Sequence, residues 1–149
     1  MARCFRRRMG AHEQGAEAVE FALVLPVFVL LVFGVVDFGY VLNCDTMVNN
    51  ASREGAREGA VNPNKDAILL KVSQSLAAAG LVGTTPPIVT CRKPDGTDCA
   101  TNLDFDTEAK SGGTVIVKIN YHHSWITPVG STLKAGGITL SKTTEMRIE

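Results

Sequence analysis

This 149-residue chain lacks the motifs of catalysis. It holds no GxSxG elbow, no HExxH zinc signature and no glycine-rich phosphate loop, the patterns that place a nucleophile, a metal or a phosphate by fixed spacing. His122 and His123 are neighbours on a predicted strand, so their side chains point to opposite faces and cannot share a metal. Ser124 and Trp125 follow them without a nucleophile motif, and Asp95 and Asp98 read as turn formers. The four cysteines show neither CxxC nor a Cys/His spacing suited to zinc. No enzyme activity, cofactor, metal or small-molecule substrate is therefore expected.

Net charge is missing too, since 15 Lys and Arg balance 15 Asp and Glu. The balance hides an asymmetry: residues 1–15 carry Arg3, Arg6, Arg7 and Arg8 against Glu13, a net +3, which leaves −3 on the remainder. A basic cluster that is short, terminal and directly followed by apolar sequence argues against a nucleic-acid partner. There is no internal repeat and no low-complexity tail, and the length suits about one domain plus an anchor.

What is present is one long apolar run. Residues 22–36 carry no charge, but these 15 positions are short of a membrane span, which needs about 20. Asp37 interrupts the run, Phe38-Gly39-Tyr40-Val41-Leu42 resumes it, and residues 22–42 then make 21 positions with one acid near the outer end. A single membrane-spanning helix is predicted. The alternative, a buried core helix, is disfavoured by the flanking arginines, which keep residues 1–15 cytoplasmic and send the C-terminal part across. No Ala-x-Ala-like site follows the run, so an ordinary cleaved secretory signal does not fit. Asp37 has two readings: a polar contact with a partner helix near the outer membrane face, or an acid that snorkels and marks the end of the span.

Helical spacing continues beyond the span. Tyr40, Cys44, Val48 and Ala51 share a face, and Ala51, Gly55 and Gly59 repeat small residues at every fourth position, which allows close approach of another backbone. One helix over residues 16–60 is predicted. Arg53-Glu54-Gly55-Ala56-Arg57-Glu58 reads either as a solvated face or as a register-setting contact, with a local Glu54–Arg57 ion pair expected at i, i+3. Pro63 ends this helix; Asn64 caps a second, with Ile68, Leu69, Val72, Leu76 and Ala79 as its apolar stripe and Gly80 as its stop. Strands are predicted at 88–92, 114–121 and 138–148. Val115, Val117, Ile119 and Tyr121 share one face of the second; Ile138, Leu140, Thr144, Met146 and Ile148 share one face of the third, where Lys142 is an exception. The fold class is α+β: a long N-terminal transmembrane and amphipathic helix, a second short helix and a small antiparallel sheet of about three strands. The domains are a basic leader at 1–15, the long helix at 16–60 and an exported α+β domain at 61–149. Cys4 lies on the reducing side, Cys44 just beyond the span, and Cys91 and Cys99 bracket a turn-like segment where an oxidising compartment permits a disulfide.

The start of the apolar helix carries the sharpest signal. In Gly15-Ala16-Glu17-Ala18-Val19-Glu20-Phe21 a carboxylate sits just inside a membrane-length run, where a charge costs roughly 2.5–3.5 kcal/mol at a helix centre and less near the interface. Gly15 offers an extended, accessible peptide bond. Cleavage there would create an Ala16 amine about one turn from Glu20, which could pair with it in the same chain or in a neighbour. Glu20 otherwise reads as an interfacial acid that snorkels to the headgroups. Gly10 does not qualify as a cleavage site, because the fifth residue after it is Gly15 rather than a glutamate.

This stretch resembles the class III signal of type IV prepilins, and the resemblance implies cleavage after Gly15 by a membrane prepilin peptidase, with Glu20 and Phe21 needed for assembly. More closely, residues 20–26, 33–39 and 51–60 resemble the TadE-like family of pseudopilins of the tight-adherence, or Flp pilus, secretion system. The likeness is dense over 15–60 and weak over 61–137, and it does not separate TadE from TadF-like or TadG-like members. It implies a minor pseudopilin of the bacterial inner membrane with a cytoplasmic N-terminus, possible incorporation into a surface pilus that serves adhesion, and as partners the peptidase, other pilins or pseudopilins and the Tad assembly platform. The alternative is an uncleaved single-pass protein whose exported domain binds an envelope or secretion-system partner.

Overall fold

The structure, a computed structural model, describes residues 11–81, 85–99, 105–128 and 136–149, with the side chains of residues 11–14 excepted. The basic cluster at 3–8, Cys4 and Gly10 lie outside the described residues, as do parts of the connectors at 82–84 and 129–135.

Helix α1 spans Ala11–Val61, 51 residues, or about 76 Å at 1.5 Å per residue. Residues upstream of the expected Ala16 are already helical, because Glu13, Gln14, Ala16, Glu17 and Ala18 are good helix formers and one glycine among them costs only about 1 kcal/mol. Pro26 sits inside the helix without ending it. Asn62, Pro63 and Asn64 then separate α1 from α2, Lys65–Ala78. The Asn64 side chain accepts the Ala67 N–H as an N-cap. At the other end Gly80, at φ +73°, donates to the Ala77 carbonyl, and Leu81 donates back to Leu76. That left-handed cap closes α2 as glycine commonly does.

Three antiparallel strands follow in the order β1 (Ile88–Arg92), β2 (Thr114–His123) and β3 (Ile138–Arg147). β2 is central, and its register with β3 runs unbroken from Thr114↔Arg147 to His123↔Ile138. A four-residue helix, α3 (Phe105–Glu108), lies between β1 and β2 and buries Phe105. Period-two alternation sets the sheet's faces. Val115, Val117 and Ile119 are fully buried on the face toward the helices, whereas Ser141, Thr143, Glu145 and Arg147 on β3 are exposed on the other.

The outer half of α1 crosses the inner face of the sheet, with α2 packed beside it. Val41, Cys44, Val48, Ala51, Ser52, Gly55, Ala56 and Gly59 form its buried stripe. The stripe contains Val41 where the spacing placed Tyr40, which stays 41 % exposed. Ile68, Val72 and Leu76 of α2 complete a single core, each worth roughly 1.5–3 kcal/mol when fully buried. The chain's last residues close the layer: Ile148 is buried, and the Glu149 N–H donates to the Ala60 carbonyl at the end of α1.

The inner half of α1 has no such partner. From Gly15 to Val36 no residue is buried, and Asp37 is the first that is. The helix is thus half core element and half projecting apolar rod.

Candidate functional site

Gly15, Ala16, Glu20 and Phe21 all lie on the projecting rod, and all are exposed. Gly15 is accessible but helical rather than extended. The bond is not extended as the sequence suggests, because helix-forming residues stand on both sides of it. Ala16 and Glu20 are one helical turn apart on the same face. No Lys or Arg occurs on α1 between Ala11 and Arg53, so the rod itself supplies no lysine or arginine to Glu20.

At the other end of the rod, Asp37 is only 6 % exposed. Its Oδ1 accepts the N–H groups of Ile126 and Thr127, each at 3.2 Å, and its Oδ2 accepts the Thr127 hydroxyl at 2.5 Å. Asp37 does not snorkel: its carboxylate is buried and ties the loop after β2 to α1. The partner lies 90 residues away, beyond what local spacing can reveal. Around this knot the rings of Tyr40 and His123 lie 5.3 Å apart, His123 and Tyr121 6.3 Å, and His123 and Trp125 6.4 Å. His123 is buried and His122 exposed, on opposite faces of β2. His123 Nε2 and Trp125 Nε1 have no hydrogen-bond partner among the described residues.

Ala51, Gly55 and Gly59 are buried within the chain's own packing. A Cβ on Gly55 would lie 2.3 Å from Val72 Cγ2, and one on Gly59 would lie 2.8 Å from Ile68 Cδ1 and from Val115 Cγ2. The small residues therefore let α1 approach α2 and β2 of the same molecule. The Glu54–Arg57 ion pair expected from their spacing is not among the ion pairs of the described residues. Both side chains are exposed, where such a pair contributes about 0.2–0.5 kcal/mol, too little to hold two long side chains against water.

Other polar links were invisible in the sequence for the same reason as Asp37. Lys142, the exception on the apolar face of β3, reaches Asp45 on α1 at 2.9 Å. Ser52 is fully buried, 2.7 Å from the Thr144 hydroxyl and donating to the Asn49 carbonyl. Asp106 of α3 accepts the Lys65 N–H at the start of α2. Each joins α1 or α2 to a distant segment. The one local signal was the misfit itself, a lysine where β3 alternation called for an apolar residue.

Cys91 and Cys99 are disulfide-bonded across the β1 turn, with Cα atoms 5.2 Å apart. In that turn the Asp95 carboxylate accepts the N–H and hydroxyl of Thr97, and these bonds hold its pKa below the usual carboxylate value. Lys93 pairs with Glu108 at 2.9 Å, which raises the lysine's pKa. Cys44 is a free thiol, and burial under the sheet pushes its pKa up. Among the described residues no group of three or more His, Cys, Asp or Glu is placed to hold a metal ion.

A small α+β domain carried at the far end of one exposed apolar helix, long and apolar enough to cross a membrane, fits a membrane protein. Residues 15–57 match the family model described as TadE-like protein, the same family that the motifs of this segment resemble. The match covers the rod and most of the buried stripe and ends before α2 and the sheet. No curated protein and no solved structure matches the chain.

Proposed function

We propose that this chain is a TadE-like minor pseudopilin acting in assembly of a tight-adherence (Flp) pilus. It is inserted in the bacterial inner membrane with residues 1–15 cytoplasmic, cut after Gly15 by a prepilin peptidase, and packed against other pilins or pseudopilins on the Tad platform. The observation that carries this reading is Glu20, an exposed carboxylate on an apolar rod that offers it no Lys or Arg, in a stretch matched by the TadE-like model. Its natural counter-charge is an Ala16 amine. Leaving either charge unpaired in low dielectric costs several kcal/mol, so pairing between subunits sets their axial register. The mechanism is non-covalent: the rod partitions into lipid, then exchanges lipid contacts for those of neighbouring helices, while the α+β domain presents the recognition surface.

Mass spectrometry of the native protein tests the cleavage. A mature chain that starts at Ala16 is expected; one that starts at Met1 or Ala2 leaves an uncleaved single-pass protein and ends the pseudopilin reading. Glu20→Ala is expected to be cleaved and inserted normally yet to give no pili. Normal piliation in that variant removes the register role.

A further inference from the structure

We propose that the membrane-facing end of the exported domain is itself seated in the bilayer. The loop at residues 124–127, with Trp125 and Ile126, joins Phe38, Tyr40 and Leu42 of α1 in an apolar collar at the boundary between headgroups and acyl chains on the exported side. This rests on the membrane-spanning reading of α1 and adds how deep the domain sits.

Because the domain covers α1 from Asp37 onward, acyl chains can surround the whole helix only up to Val36. From Phe21, the first residue after Glu20, to Val36 is 16 residues, which span about 24 Å. The hydrocarbon core is about 30 Å thick. The rod falls short by roughly four residues, and such a mismatch is met by moving groups across the interface or by thinning the bilayer. Either Glu20 is drawn inward, or the domain's end sinks.

The side chains beyond Asp37 suit the second outcome. Phe38 and Leu42, one helical turn apart on α1, are 65 % and 52 % exposed, Tyr40 is 41 % exposed with its ring beside His123, and Ile126 on the loop is 55 % exposed. Trp125 is half-buried beside it. Residues 38–44 and 119–128 contain no Lys, Arg, Asp or Glu. The one acid at that depth, Asp37, is buried and accepts three hydrogen bonds, and the same bonds satisfy the loop's Ile126 and Thr127 amides. Irregular backbone is tolerated at membrane depth where its polar groups are bound inside protein. Tryptophan and tyrosine are enriched at this level; Tyr40 is partly exposed there, and the Trp125 indole nitrogen is itself buried in the domain. The first acid farther out on α1, Asp45, is paired with Lys142.

The chain has a single tryptophan, so Trp125 reports its own depth. The test uses the full-length protein in phosphatidylethanolamine–phosphatidylglycerol vesicles whose acyl chains carry bromine either near the headgroup or near the chain end. Stronger loss of Trp125 emission with the shallow bromines is expected, and Ile126→Asp is expected to reduce it. Undiminished shallow quenching in Ile126→Asp overturns the loop's part in the collar. A second protein, Trp125→Phe with Phe28→Trp, places the reporter in mid-rod, where deep bromines are expected to quench it. If the mid-rod reporter is quenched but Trp125 is not, or Trp125 is quenched only by deep bromines, the collar is wrong and the span stands. If neither reporter is quenched, the membrane reading fails with it.

Discussion

Asp37 shows how one side chain can define a boundary. The buried carboxylate receives two amides and a hydroxyl from residues 126–127, so the projecting rod and the folded domain meet at a fixed point rather than through a hinge. Replacing it by alanine strands three donors, and a buried donor left without an acceptor costs about 1–3 kcal/mol. Asp37→Ala is therefore expected to loosen the loop locally while the sheet stays formed. Hydrogen exchange should show faster exchange at the Ile126 and Thr127 amides, with the β2–β3 amides unchanged; equal protection of the loop would mean that the bonds do not hold it. Glu20 stands out in the sequence because its charge clashes with its apolar neighbours. Asp37 was legible as costly, but its partner was not, since nothing near residue 37 in the sequence points to Thr127.

Among the elements, α1 does two jobs with one periodicity. Its inner half is apolar around most of its circumference, as a lipid-facing helix must be, and its outer half narrows to a stripe that faces the sheet. The stripe ends in glycines because α2 and β2 leave no room for a Cβ. Gly55→Ala gains about 1 kcal/mol of helix propensity. It also forces a methyl to within 2.3 Å of Val72 Cγ2, and Val72 is a stiff β-branched side chain in a filled core. Overpacking of this kind costs about 1–3 kcal/mol, so a net loss of stability is expected, read as a lower denaturation midpoint in detergent. A rise in the midpoint would show that the core yields. The three strands, α2 and its Asn64 and Gly80 caps were readable from alternation, stripe and cap chemistry. The short α3 was missed because four residues give no periodicity to detect.

For the molecule as a whole, the core is closed by residues far apart in sequence. Ile148 sits beneath the end of α1, its N–H and carbonyl bonded to Gly113 and Gly112, while the next residue donates to Ala60. Ile148→Ala is expected to cost about 2–5 kcal/mol, measured by chemical denaturation, with the rod still inserted in lipid because no core contact reaches it. Loss of membrane insertion in that variant would contradict the independence of the two halves. The sequence by itself determined the long apolar helix, the carboxylate at its start, the second helix and the three alternating strands, because periodicity, capping and charge in an apolar run are local properties. Only the tertiary structure decided that the small-residue face turns inward, that Lys142 and Ser52 belong in the core's polar seams, and that Asp37 ends the free rod. Each of those depends on segments brought together from up to 97 residues apart (Asp45 and Lys142 are the extreme), and side-chain chemistry alone does not say which distant partner will complete it.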